Sequence, residues 1–197
     1  MTRMAADEVK ARSTGKETED RKIPAEVHGL MMEPNSNQPI VILRLHERDP
    51  DESSVVPIWI GIFEAGAIQL AIEGRDPGRP MTHDLLKNAL DLVGAEVIEV
   101  VVRAIEGNTF LAVVELVERT GEHRLLDARP SDAIALALRA GAPLFVRQSV
   151  ADLARVKQSD QDEGDGAGQA PTAGTDEKKM RKWLEELDPK TLGKYEM

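Results

Sequence analysis

Apolar positions along the chain fall into short β-rich runs and longer helical stripes, and their alternation predicts most of the elements. From Glu26 to Met32 and from Pro39 to His46, β-rich segments flank Pro34-Asn35-Ser36-Asn37-Gln38, a run of turn formers. That arrangement predicts a hairpin. In its second strand Val41, Leu43 and Leu45 share one face and Ile40 and Ile42 the other, which predicts cover on both sides. Val55 to Ile62 reads as a buried strand, and Pro57 within it, unable to donate to a ladder, suggests an edge or a bulge. Beyond Gly61, the residues Phe63, Ala67, Ile68, Leu70 and Ala71 recur at helical spacing until Gly74 ends the helix.

Two further helices share one grammar. Arg79-Pro80-Met81-Thr82-His83-Asp84 leads into Leu85-Leu86-Lys87-Asn88-Ala89-Leu90, a helix that Gly94 closes. Arg129-Pro130-Ser131-Asp132 leads into Ala133-Ile134-Ala135-Leu136-Ala137-Leu138, and Gly141 and Pro143 stop it. Proline suits a first helical position, where its missing N–H has no partner to lose. Thr82 reads as an N-cap with Asp84 in the first turn. Between the two helices, Ala95 to Ala104 and Thr109 to Val117 flank Glu106-Gly107-Asn108 and predict a hairpin. A third strand from His123 to Asp127 extends it to an antiparallel meander. A short strand at Leu144-Phe145-Val146 and a short helix from Val150 to Val156 follow.

The ends look different. Residues 1–22 mix charges with Gly, Ser and Thr without a period and read as a disordered tail, so the ordered domain is expected over 23–156. Residues 157–175 form an acidic, Gly-containing linker. Within 176–197, Met180, Trp183, Leu184 and Leu187 fall at i, i+3, i+4 and i+7, an amphipathic helix that would dock on its own assembly or on a partner.

Composition narrows the chemistry. The absence of Cys removes disulfides, thiol nucleophiles and zinc-thiolate sites. No apolar run approaches the roughly 20 residues that span a bilayer, and the N-terminus lacks the apolar region of a secretory signal, so a cytoplasmic protein with no membrane partner is expected. The net charge is −10, and residues 23–156 alone carry 12 basic against 20 acidic side chains. Long-range attraction to nucleic acid is therefore absent, and a polyanion would need a local basic site or cations held at carboxylates.

No G-x-S-x-G, P-loop or G-x-G-x-x-G cradle is present. Of the four histidines, His28, His46 and His123 belong to strands, whereas His83 stands at a helix entrance between Thr82 and Asp84. The charged groups at the helix entrances make one candidate pocket. Glu64, Asp84, Asp127 and Asp132 are its oxygen ligands or bases, His83 its proton carrier, and Arg79 and Arg129 its anion clamps. Carboxylates in such number suit Mg²⁺ or Mn²⁺, and the set has the parts that phosphodiester hydrolysis requires. The same side chains could equally complement helix dipoles or join the entrances in an ion-pair network.

Three ordered motifs also carry a family resemblance: Trp59-Ile60-Gly61-Ile62-Phe63-Glu64-Ala65, Arg79-Pro80-Met81-Thr82-His83-Asp84-Leu85, and Asp127-Ala128-Arg129-Pro130-Ser131-Asp132-Ala133 with the helix that follows. Over roughly Glu26 to Val156 the chain resembles the bifunctional nuclease domain family. The resemblance implies an α+β fold, with a mixed, largely antiparallel sheet and helices packed on it, assembled as a homodimer. It further implies nuclease activity on RNA and DNA, and motif match carries it to Glu64, Arg79, His83, Asp84, Asp127, Arg129 and Asp132. The expected function is metal-assisted hydrolysis of phosphodiester bonds in single-stranded or flexible RNA and DNA, with Mg²⁺ or Mn²⁺ as the metal. The alternative is a non-catalytic anion- or nucleotide-binding module that acts in regulation or protein interaction.

Overall fold

The computed structural model describes residues 20–34, 36–47 and 54–154. The remainder of the expected N-terminal tail, the polar turn at 48–53, the linker at 157–175 and the helix expected within 176–197 lie outside the described residues.

The elements follow the hydrophobic pattern closely. Strands β1 (Lys22–Met32) and β2 (Pro39–Leu45) form the first hairpin, β3 (Val55–Trp59) pairs with β2, and helix α1 (Ile62–Ile72) follows. Helix α2 (Thr82–Val93) leads to the meander β4 (Glu96–Glu106), β5 (Thr109–Val117) and β6 (His123–Ala128). Helix α3 (Pro130–Ala140), strand β7 (Leu144–Arg147) and a helical segment over residues 148–154 complete the described chain. The fold is α+β, built on a seven-stranded sheet in the order β3-β2-β1-β7-β4-β5-β6. Its one parallel pairing arises because β7 inserts between the two hairpin systems, antiparallel to β1 and parallel to β4.

Pro57 sits in β3, the edge strand, where its missing donor costs no ladder bond. All of β3 is buried, as are both faces of β2 from Ile40 to Leu43. Along β5 the burial alternates: Phe110, Ala112, Val114 and Leu116 are buried, and Val113 and Glu115 face the opposite, more open side. Helix α3 packs on β4 and β5 and touches both α1 and α2, so it is the hub of the helical layer. Seven of its residues are buried, Pro130, Ser131 and the run from Ala133 to Ala137, and Gly141 closes it with φ 66°, a left-handed conformation that a Cβ would strain.

Two expectations are corrected. Thr82 is not the N-cap of α2; Met81 is, with Thr82 as the first helical residue, because the carboxylate of Asp84 reaches back and accepts the Met81 N–H at 2.9 Å. Phe63 does not join the apolar stripe of α1: it is 85% exposed, and Ala65 and Ile68 are the residues that α1 buries. Among the described residues no helix is long and apolar enough to cross a membrane.

Candidate active site

Three helix starts meet, and each brings a charged group. Glu64 stands in the first turn of α1, His83 in the first turn of α2, and Arg129 and Asp132 frame the start of α3 as its N-cap and third residue. Arg129 grips Asp132 with two donors, Nε to Oδ2 at 2.8 Å and Nη2 to Oδ1 at 3.2 Å. Its Nη1 lies 2.8 Å from Oε1 of Glu64. From the other side, Nε2 of His83 lies 3.2 Å from Oδ1 of Asp132. Glu64, Arg129, Asp132 and His83 are thus one connected chain of polar contacts, drawn from positions 68 residues apart in sequence.

The backbone is shaped for this cluster. Gly61 precedes α1 in an extended conformation, and the Glu64 carboxylate folds back over it so closely that any Cβ at that position would overlap Oε2. That same Oε2 is buried and has no hydrogen-bond partner. The Glu64 and His83 side chains are 13% and 12% exposed, against 42% and 35% for Arg129 and Asp132. Solvent, and any ligand, therefore reaches the cluster from the Arg129–Asp132 side.

Electrostatics sets the protonation of the acid at its centre. Burial pushes the Asp132 carboxyl upward, but the donors of Arg129 and His83 outweigh it, and the net position is below the ordinary carboxylate range. Asp132 and Glu64 in turn raise Arg129 further. An ionised Asp132 can only accept, so Nε2 of His83 is the donor, and in the neutral ring the lone pair is left on Nδ1. This is the arrangement by which a carboxylate orients a histidine base.

The other nominated residues separate from this centre. Asp84 is one residue from His83 but bonds elsewhere, to Met81 and to Arg139, and the Met81 N–H is the chief reason its carboxyl lies below the usual range. Arg79 is exposed and forms no ion pair among the described residues; it lines a basin of about 330 Å³ with Gly78, Pro80 and Asp84. Asp127 does not enter the site. It pairs across the sheet with Val113 and so faces the opposite side, where it meets Arg103 at 3.3 Å. The alternation of a strand decides this: Leu126 and Ala128 take the other face, and only the residue after the strand can turn toward α3.

The expected Mg²⁺ or Mn²⁺ site does not form from these residues. Among the described residues no three His, Asp or Glu side chains gather closely enough to hold a metal ion. Arg129 bridges Glu64 and Asp132 instead, supplying the positive charge that a bound cation would bring. Of the other histidines, His28 lies in β1 beside Arg44 and His123 in β6 on Glu115 at 2.7 Å, while His46, expected in a strand, falls just past the end of β2 near Glu26.

One site residue escaped the sequence reading. Arg139 is the basic residue in the last turn of α3, easily taken for a partner of the helix dipole, yet its side chain is only 10% exposed and it bonds Asp84. The available signal was spacing: it follows Asp132 by seven residues, two helical turns, and so shares its face.

The cluster makes a prediction about acid stability. Asp84, Asp132 and Glu115, the last held down chiefly by His123, all have carboxyls depressed in the folded state. Groups of that kind stabilise fully above their unfolded pKa, and the contribution is lost as pH falls through the depressed folded value. Urea midpoints should therefore fall steeply on acidification below the ordinary carboxylate range, and Asp132→Asn should flatten that limb. An unchanged limb in the variant would refute the assignment.

Residues 41–159 match the bifunctional nuclease domain, a span holding all four members of the cluster. Two proteins of Mycobacterium tuberculosis are similar along most of the chain: "Uncharacterized protein MT1877" of strain CDC 1551 / Oshkosh and "Uncharacterized protein Rv1829" of strain ATCC 25618 / H37Rv. Each is 33% identical over 163 residues, which is 83% of this chain and 93% of the relative. With the match covering more than half of the chain and taking in the helix entrances that build the cluster, this protein belongs to the bifunctional nuclease domain family.

Proposed function

We propose that the chain hydrolyses phosphodiester bonds in single-stranded or flexible RNA and DNA by acid–base chemistry at the Glu64–Arg129–Asp132–His83 cluster. The observation that carries this reading is the His83–Asp132 contact at 3.2 Å, tied by Arg129 to Glu64. Asp132 orients the ring, Nδ1 of His83 takes a proton from a water whose oxygen bonds to the phosphorus, the P–O bond to the sugar breaks, and the leaving oxygen takes up a proton from the imidazolium or from solvent. Arg129 presents positive charge toward the phosphorus, where charge grows in the transition state. Its charge is already shared by two carboxylates, so the unpaired, exposed Arg79 is the better clamp for a neighbouring phosphate. Incubating labelled single strands with the purified chain tests this; intact strands with every divalent ion and with EDTA would reject it. The non-catalytic alternative gives a distinct result: thermal stabilisation by phosphate or a nucleotide with no turnover.

The resemblance to a homodimeric family also finds support in the surface. Helix α2 buries no residue completely, although Leu85 and Leu92, at i and i+7, are 63% and 83% exposed. An amphipathic helix gains stability by covering such a stripe, and a second copy of this chain is the proposed cover. Light scattering is expected to give twice the chain mass for the wild type and the single mass for Leu85→Glu/Leu92→Glu. A monomeric wild type would overturn this.

A further inference from the structure

No residue of helix α2 is fully buried, and of its apolar side chains Leu90 packs against the core from its later turns, so the position of its first turn on α3 rests on polar contacts. These act at two points. At the start of α3, His83 meets Asp132. Two turns later, about 10 Å along the helix axis, the Arg139 guanidinium takes hold of the neighbouring residue, Asp84, through Nε to Oδ1 at 2.5 Å. Its Nη1 donates to two carbonyls, Ala67 of α1 at 3.2 Å and Ala135 of its own helix at 2.9 Å. One side chain thereby touches all three helices that build the site. The second oxygen of Asp84 accepts the Met81 N–H, so the grip of Arg139 is passed directly to the backbone on which His83 is mounted.

We infer that Arg139 is a positioning residue that latches the first turn of α2 onto α3 and so holds His83 Nε2 against Asp132. Neighbouring helical residues point about 100° apart, which is why Asp84 and His83 can reach two separate stations on α3 at once. Neither station alone fixes α2: His83–Asp132 by itself leaves rotation about a single contact, and Asp84–Arg139 removes it. A merely electrostatic role, with Arg139 complementing the negative end of α3, needs only the charge. The latch needs the planar fork, because Nε and Nη1 serve different helices. The role of the latch in cleavage rests on the reading above, whereas the placement of His83 can be measured without any turnover.

The test uses the ¹⁵N-labelled full chain. The imidazole Nε2–H of His83, assigned by its disappearance in His83→Ala, is expected as an observable, exchange-protected proton in the wild type. It should be lost in Arg139→Gln and also in Arg139→Lys, which keeps the charge but not the fork, while far-UV circular dichroism stays unchanged. If Arg139→Gln does not fold, Asp84→Asn replaces it, with the same expected loss. Retention of the proton in either folded variant overturns the inference, as does its absence in the wild type. Where the wild type cleaves single strands, kcat should fall about 10- to 100-fold in Arg139→Lys, with KM within about twofold. A wild type without cleavage removes the nuclease reading and leaves the proton signal to decide the latch.

Discussion

Replacing His83 with alanine should slow cleavage of a labelled single strand by about 10²- to 10⁴-fold, the usual contribution of a positioned general base. The loss should appear in kcat, because the ring acts on the proton in transit and makes no phosphate contact in the proposed scheme. Folding should survive, since no residue of α2 is fully buried and the core lies between the sheet and α3. Adding imidazole to the His83→Ala variant provides a second reading: partial rescue shows that a proton acceptor, and no other function, is missing. Equal rates in variant and wild type, with identical preparations, would mean that the cleavage belongs to a contaminant or to another part of the chain.

Removal of Arg129 should have the largest effect on stability. Arg129→Ala takes the guanidinium donors from Glu64 and Asp132, leaves Asp132 with the His83 contact, and leaves two carboxylates near each other, one of them with an oxygen already buried and unpartnered. Breaking a buried ion pair costs about 3–5 kcal/mol. The partial exposure of Arg129 lowers the expectation here to about 2 kcal/mol, or a fall in Tm of about 6–8 °C for a domain of this size. The pH dependence distinguishes this from simple loss of packing. In the wild type Arg129 helps hold the Asp132 carboxyl below its ordinary range, and the variant loses that pull and keeps only the His83 contact. The stability tied to such a depression is full above the unfolded pKa and fades as pH falls toward the folded value, so the penalty should shrink on going from about pH 7 to about pH 4. A penalty constant across that range would mean that charge is not its origin.

The convergence of helix starts explains why an acidic chain can hold a reactive cluster without a large basic surface. Each entrance supplies unpaired N–H groups and a favourable dipole for carboxylates. Arg129, placed as N-cap between two of them, neutralises the centre. Arg79, exposed and without an ion pair among the described residues, lines a separate basin beside Asp84.

Much of this was legible in the residues themselves. Alternation gave the meander, Gly107-Asn108 its turn, and Arg-Pro the starts of α2 and α3, because these features depend on local backbone preference and on which face of an element is apolar. The repeated entrance pattern pointed to His83, Arg129 and Asp132 and the first turn of α1 to Glu64, and in the structure these four side chains meet. Tertiary structure decided what neighbouring elements do to each other. It inserted β7 between β1 and β4 and turned Asp127 away from the cluster. It also put Arg129 where a metal ion was expected and recruited Arg139 from a position that looked like a helix-end charge. The physical reason is that local propensity acts over a few residues, whereas the partner of a charged side chain is fixed only when distant segments pack within about 4 Å of it.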